Sequence, residues 1–172
     1  SVIMGQFTFR YGIPAPVSIL CGLFVGTALG TLNGWLVAVM RLPPFIVTLG
    51  TWQIILATNF LYSANETIRA QEIEANAPLL QLFGSSFTIG ADETGRGGAT
   101  FTVGVFFMIA LILLLGYVLR HTAWGRHVYA VGDDPDAAQL SGVNVRATLI
   151  SVYALSGLIC AFAGWALIGR IG

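Results

Sequence analysis

The chain is 172 residues long, 56% hydrophobic and 9% charged, and its formal net charge is zero. Soluble domains carry about 25% charged residues, so this composition points to a polytopic membrane protein, and the neutral balance excludes the basic footprint of a nucleic-acid binder. All eight basic residues are arginine. Without lysine there is no Walker A phosphate loop and no Schiff-base amine, so any ATP used must be bound by another chain.

The chain begins at Ser1 without a basic n-region and short apolar core, so no cleavable signal is expected, and it is expected to be a piece of a longer protein. Four apolar runs follow in order, 17–40, 45–62, 101–119 and 149–168, none with a charged residue. Each approaches the roughly 20 residues a helix needs to cross the hydrocarbon core. Lipid offers the backbone no hydrogen bonds, so helices are expected, and the absence of ten-residue alternating segments argues against a barrel. The expected fold is therefore all-α: a transmembrane helical bundle of about four spans, with residues 1–172 as a single domain.

The first run carries Gly22, Gly26, Gly30 and Gly34 at four-residue spacing, a stripe that lets helix backbones approach closely. It ends at Arg41-Leu42-Pro43-Pro44, where the prolines force a break. The second run presents Thr48, Thr51, Trp52, Ile55 and Asn59 on one face, with Gln53 to the side. This uncharged polar stripe has two readings: the wall of a path for a neutral, hydroxyl-rich solute, or ordinary interhelical hydrogen bonding.

Residues 63–100 form a long polar loop with Glu66, Glu72, Glu74, Asp92 and Glu93 against Arg69 and Arg96. A short surface helix is expected at 78–83 and a mobile glycine-rich tip at 95–98. Asp92 and Glu93 read as solvated loop rather than catalytic carboxylates, and Asn65-Glu66-Thr67 as a chance match to a glycosylation acceptor. The fourth run places Ser156, Cys160 and Gly164 on a second small-residue ridge. Cys21 and Cys160 read as small buried thiols. His121 and His127 are not spaced for one helical face, so no metal site is expected.

The loop at 120–147 is the most specified polar segment. Asp133-Asp134-Pro135-Asp136 supplies a cap, a proline suited to the first turn, and acids at the positive end of the helix dipole. Gly142 suits a left-handed stop. A two-turn helix over 135–141 follows, shaped either to dock in a groove of another protein or to serve as a linker. Arg41, Arg120, Arg126 and Arg146 place this loop on the cytoplasmic side and the acidic 63–100 loop outside, although Arg10 and Arg170 run against that assignment.

Two stretches carry a family resemblance: TAWGRHVYAVGDDPDAAQLSGVNVRATLISVYALSGLICAFAGWALIGRIG and RLPPFIVTLGTWQIILATNFLYSANETI. In this order they resemble permease subunits of bacterial ABC importers for monosaccharides, of the ribose, xylose and fructose type. The LYSANETIR stretch and the acidic loop look most like the fructose permeases. The resemblance implies a multi-pass protein of the bacterial inner membrane that is not an enzyme and holds no cofactor, with ATP and Mg bound by partner ATPase subunits. It further implies a second permease copy, an extracytoplasmic sugar-binding protein and a monosaccharide substrate in the lipid bilayer.

By resemblance, Gly132, Asp133, Asp134, Ala137, Ala138, Leu140, Ser141 and Gly142 form the ATPase-docking coupling helix, braced by Arg126 and Tyr129. Thr48, Thr51, Trp52 and Asn59 are the candidate substrate path. The family's permeases are much longer, so the first and last spans are expected to be missing here. Two rivals stand beside this reading: a membrane scaffold that only anchors a cytoplasmic partner, and an ATP-independent carrier of a neutral solute. Ion-coupled carriers usually place ionisable residues at membrane depth, and the four runs contain none.

Overall fold

The computed structural model describes residues 14–63, 86–89 and 99–171. In chain order they form α1 (Ala15–Met40), α2 (Pro44–Ser63), β1 (Ser86–Ile89), β2 (Ala99–Thr102), α3 (Val103–His121), α4 (Ala123–Asp133), α5 (Pro135–Leu140) and α6 (Val145–Ile171). Helices α1, α2, α3 and α6 are each long and apolar enough to cross a membrane. The chain is a multi-pass membrane protein with a helical bundle architecture. The expected short helix at 78–83 and the tip at 95–98 lie outside the described residues.

The core is the α1–α6 pair. A Cβ built on Gly26 would sit 2.6 Å from Ala161 Cβ. On Gly30 it would meet the Tyr153 carbonyl oxygen and lie 2.9 Å from Gly157 Cα, and on Gly34 it would lie 2.8 Å from Tyr153 Cβ. As α1 advances α6 recedes, so the two run antiparallel with backbones nearly touching. Lipid tails are as apolar as leucine, so close van der Waals packing of small residues is what holds two such helices together.

The ridge on α6 is not the expected one. Ser156 and Cys160 are both exposed, while Gly157 and Ala161 meet α1. The shift of one residue turns the face by about 100°. Its cause is Gly157, whose own missing Cβ admits the Gly26 carbonyl and Gly30 Cα. Cys160 therefore faces away from α1, contrary to the expectation of two buried thiols, and Cys21 is half-buried.

The second and third spans attach more lightly. Between α1 and α2, Thr51 Oγ1 lies 2.6 Å from Asn33 Oδ1 and 2.8 Å from the Val47 carbonyl. No described side chain of α3 is buried, and its ring contact to α6 is Phe107 on Phe162, centroids 5.2 Å apart. The α1–α2 break falls where proline requires it. Arg41 closes α1 at φ +56°, the left-handed conformation, and Pro44 opens α2. Ahead of α3, β1 and β2 pair antiparallel, Ser86 opposite Thr102 and Ile89 opposite Ala99. This hairpin falls at the end of the stretch that the sequence pattern reads as a loop and at the start of the third apolar run, although its strands, SFTI and ATFT, alternate polar and apolar residues over their four positions.

Candidate functional site

The loop between α3 and α6 is built by a succession of caps. Thr122 ends α3 and begins α4: its hydroxyl donates to the Val118 carbonyl at 2.6 Å and accepts from Gly125 N–H at 3.1 Å. The chain turns so sharply that a Cβ on Gly125 would lie 2.6 Å from Leu119 Cα. Only glycine fits there. Nothing in the local pattern at 122–125 announces that crowding, because it comes from the preceding turn of α3.

Helix α4 lies in the stretch that the sequence pattern reads as loop. It is anchored by Trp124 Nε1, which donates to Ser151 Oγ on α6 at 2.8 Å, while Ser151 donates to the Thr148 carbonyl at 2.7 Å. Its own Val131 is buried. Arg126 and His127 are exposed and Tyr129 is 59% exposed, so α4 offers a mixed aromatic and cationic outer face.

The expected short helix is present as α5. Asp134 caps it, with Oδ1 accepting from Asp136 N–H at 2.9 Å and Ala137 N–H at 3.0 Å, and Pro135 occupies the first turn. At the other end Val143 N–H reaches the Ala138 carbonyl and Gly142 N–H the Gln139 carbonyl, each at 3.0 Å. With Gly142 at φ +86° this is a Schellman stop. Asn144 then caps α6 by accepting from Ala147 N–H at 3.1 Å. Each end of the six-residue helix is thus satisfied by its own neighbours, and buried Ala138 adds the packing that so short a helix needs. Replacing Asp134 by alanine should cost about 1 kcal/mol of local stability. Faster amide hydrogen exchange at Ala137 and Ala138 is the expected readout.

The eight expected docking residues do not share one face. Ala138 is 4% exposed, whereas Leu140 is 90% exposed at the end of α5. Gly132, Asp133, Asp134, Ala137, Ser141 and Gly142 are exposed around it. The outward surface is therefore a bare leucine ringed by small and acidic residues. Ala138 is the root on which the helix stands.

The expected path residues separate in a similar way. Thr51 is buried against Asn33 of α1. Thr48 is exposed and satisfies its hydroxyl on the Pro44 carbonyl at 2.9 Å. Trp52 is 54% exposed and Asn59 half-buried. Thr48, Trp52, Ile55 and Asn59 keep one face; Thr51 turns toward α1. No cluster of three His, Cys, Asp or Glu side chains suited to a metal occurs among the described residues.

Residues 2–172 match the family described as branched-chain amino acid transport system / permease component. The chain is 68% identical over all 172 residues to the fructose import permease protein FrcC of Rhizobium meliloti, covering 46% of that protein. It is 34% identical over 161 residues, 93% of the chain, to the galactose/methyl galactoside import permease protein MglC of Haemophilus influenzae, covering 45% of it. It is 31% identical over 159 residues, 92% of the chain, to the ribose import permease protein RbsC of Escherichia coli K12, covering 46% of it. The chain thus spans less than half the length of these relatives. No solved structure matches.

Proposed function

The chain belongs to the family of branched-chain amino acid transport system permease components, and from that membership we propose that it is part of the membrane-spanning subunit of an ATP-driven monosaccharide importer, with fructose as the favoured cargo. It is a transport component rather than an enzyme. The observation that carries the proposal is the whole-chain match to a fructose import permease at 68% identity.

The geometry is suited to that role. The α4–α5 loop stands outside the spans on a capped base and presents Leu140 to whatever docks there. In the proposed arrangement this side is cytoplasmic, and a separate ATPase subunit binds ATP and Mg and receives Leu140 in a cleft. The 63–100 segment lies on the far side and meets an extracytoplasmic sugar-binding protein. A second permease copy completes the path, and the assembly sits in the bacterial inner membrane. The Thr48, Trp52, Ile55 and Asn59 face of α2, exposed save for the half-buried Asn59, supplies hydroxyl, amide and aromatic groups suited to a sugar, which has both polar edges and apolar faces. Motion applied at α5 passes to α6 through the Asn144 cap, and from α6 to α1 through the glycine seam.

Uptake of radiolabelled fructose, ribose, xylose and galactose into cells lacking the permease gene, and into cells with it restored, tests the proposal. Restored uptake of fructose above the others, lost when the partner ATPase is inactivated, is expected. Uptake that survives ATPase inactivation would leave an ATP-independent carrier. Correct insertion with no sugar uptake would leave a scaffold.

A further inference from the structure

One cleft, of about 690 Å³, opens between the α1–α2 turn and the α5–α6 junction. Its rim holds Arg41 and Arg146, and Val37 and Leu149 line it about one turn deeper in the spans. The two arginines line the same cleft because of the antiparallel seam. The register that sets Gly26 by Ala161, Gly30 by Gly157 and Gly34 by Tyr153 brings Arg41 level with Arg146 when carried to the helix ends. Arg41 directly follows the last residue of α1 and Arg146 is the second residue of α6, so both stand where span gives way to headgroup.

Neither guanidinium has a carboxylate within 4.0 Å among the described residues. Two cations on one cleft repel each other, and an anion seated between them removes that repulsion and gains charge-assisted hydrogen bonds. Arginine's planar fork matches phosphate oxygens, and Gln139 adds an amide on the same rim. Asp136 also lines the cleft and opposes an anion, leaving a net charge of plus one.

We propose that this cleft holds an anionic phospholipid of the adjoining leaflet, its phosphate on Arg41 and Arg146 and the start of its acyl chains against Val37 and Leu149. The apolar depth below the charged rim favours a lipid over free phosphate, because a small dianion would leave that wall unfilled. The inference rests on the chain spanning a membrane and is independent of which solute is carried.

The test uses the intact permease purified in neutral detergent and titrated with phosphatidylglycerol, phosphatidylcholine or inorganic phosphate, with bound lipid counted by native mass spectrometry. Phosphatidylglycerol retention is expected to fall at least fivefold in the Arg41→Gln, Arg146→Gln double variant and to rise in Asp136→Asn. Phosphatidylcholine is expected to bind weakly and alike in all variants, and millimolar phosphate not to displace phosphatidylglycerol. Arg120→Gln, at the end of α3 outside the cleft, should leave retention unchanged. Retention that survives the double variant, or falls equally in Arg120→Gln, would overturn the proposal. Displacement by phosphate alone would mark a free-anion site and overturn it equally. Sugar uptake plays no part in the readout, so its loss or survival leaves this result separate.

Discussion

Gly30→Val is expected to separate α1 from α6 and leave a permease that melts well below the parent. The first added carbon would meet the Tyr153 carbonyl oxygen and lie 2.9 Å from Gly157 Cα, both backbone atoms that no rotamer change can move. Overpacking usually costs about 1–3 kcal/mol. Here the cost falls at the upper end, because relieving it pushes two helices apart along a seam that also holds Gly26 and Gly34. For a chain of this size about 3 kcal/mol corresponds to a fall of roughly 6–12 °C in Tm. Gly50 is the control: a Cβ there meets nothing within 4 Å and alanine suits a helix interior better than glycine, so Gly50→Ala should melt no lower than the parent. Thermal unfolding of the purified protein in detergent, followed by loss of monodisperse elution, measures both. Equal melting of Gly30→Val and parent would mean the seam is not the core of the fold.

Leu140→Arg is expected to abolish solute uptake while leaving insertion and melting temperature unchanged. Leu140 is 90% exposed, so its loss removes nothing from the permease itself. If it fills a pocket of an ATPase subunit, the lost burial is worth about 1.5–3 kcal/mol, and a buried unpaired guanidinium adds a desolvation cost of several more. Each 1.4 kcal/mol is tenfold, so the complex should weaken by at least a hundredfold. Copurification of the ATPase with tagged permease and initial uptake rates would both fall. Ala138→Arg makes the instructive contrast. Ala138 is 4% exposed, so a large cation there should lower the melting temperature as well as uptake, which confounds docking with folding. Normal uptake by Leu140→Arg would remove α5 from the coupling role.

Several of these features were readable along the chain. The four apolar runs became the four candidate spans, because span length depends only on residue type and helical rise. The break at Arg41–Pro44 and the capped helix after Asp134 were equally legible, since a cap or a proline acts within one turn of itself. The family was readable too, through motifs in the α2 and α4–α6 regions.

Other features came only with the third dimension. The span-one glycines announced a close contact, yet not that α6 would make it, nor that Gly157 and Ala161 rather than Ser156 and Cys160 would be the ridge. The stripe on α2 hid the turning of Thr51 toward Asn33, because a hydroxyl that hydrogen-bonds a neighbouring helix looks in sequence like one that lines a path. Gly125 gave no sign of the crowding at Leu119.

By itself the sequence determined that this chain crosses a membrane in helices, where those helices break, and that a short self-capped helix stands between two of them. Composition, caps and proline act locally, and lipid enforces the rest by denying the backbone any other partner. Only the tertiary structure decided that Ala138 roots the helix and Leu140 projects from it, and that Arg41 and Arg146 share one cleft. Those outcomes depend on the register at which two distant helices close on each other, and the closest approach of their glycine backbones sets that register.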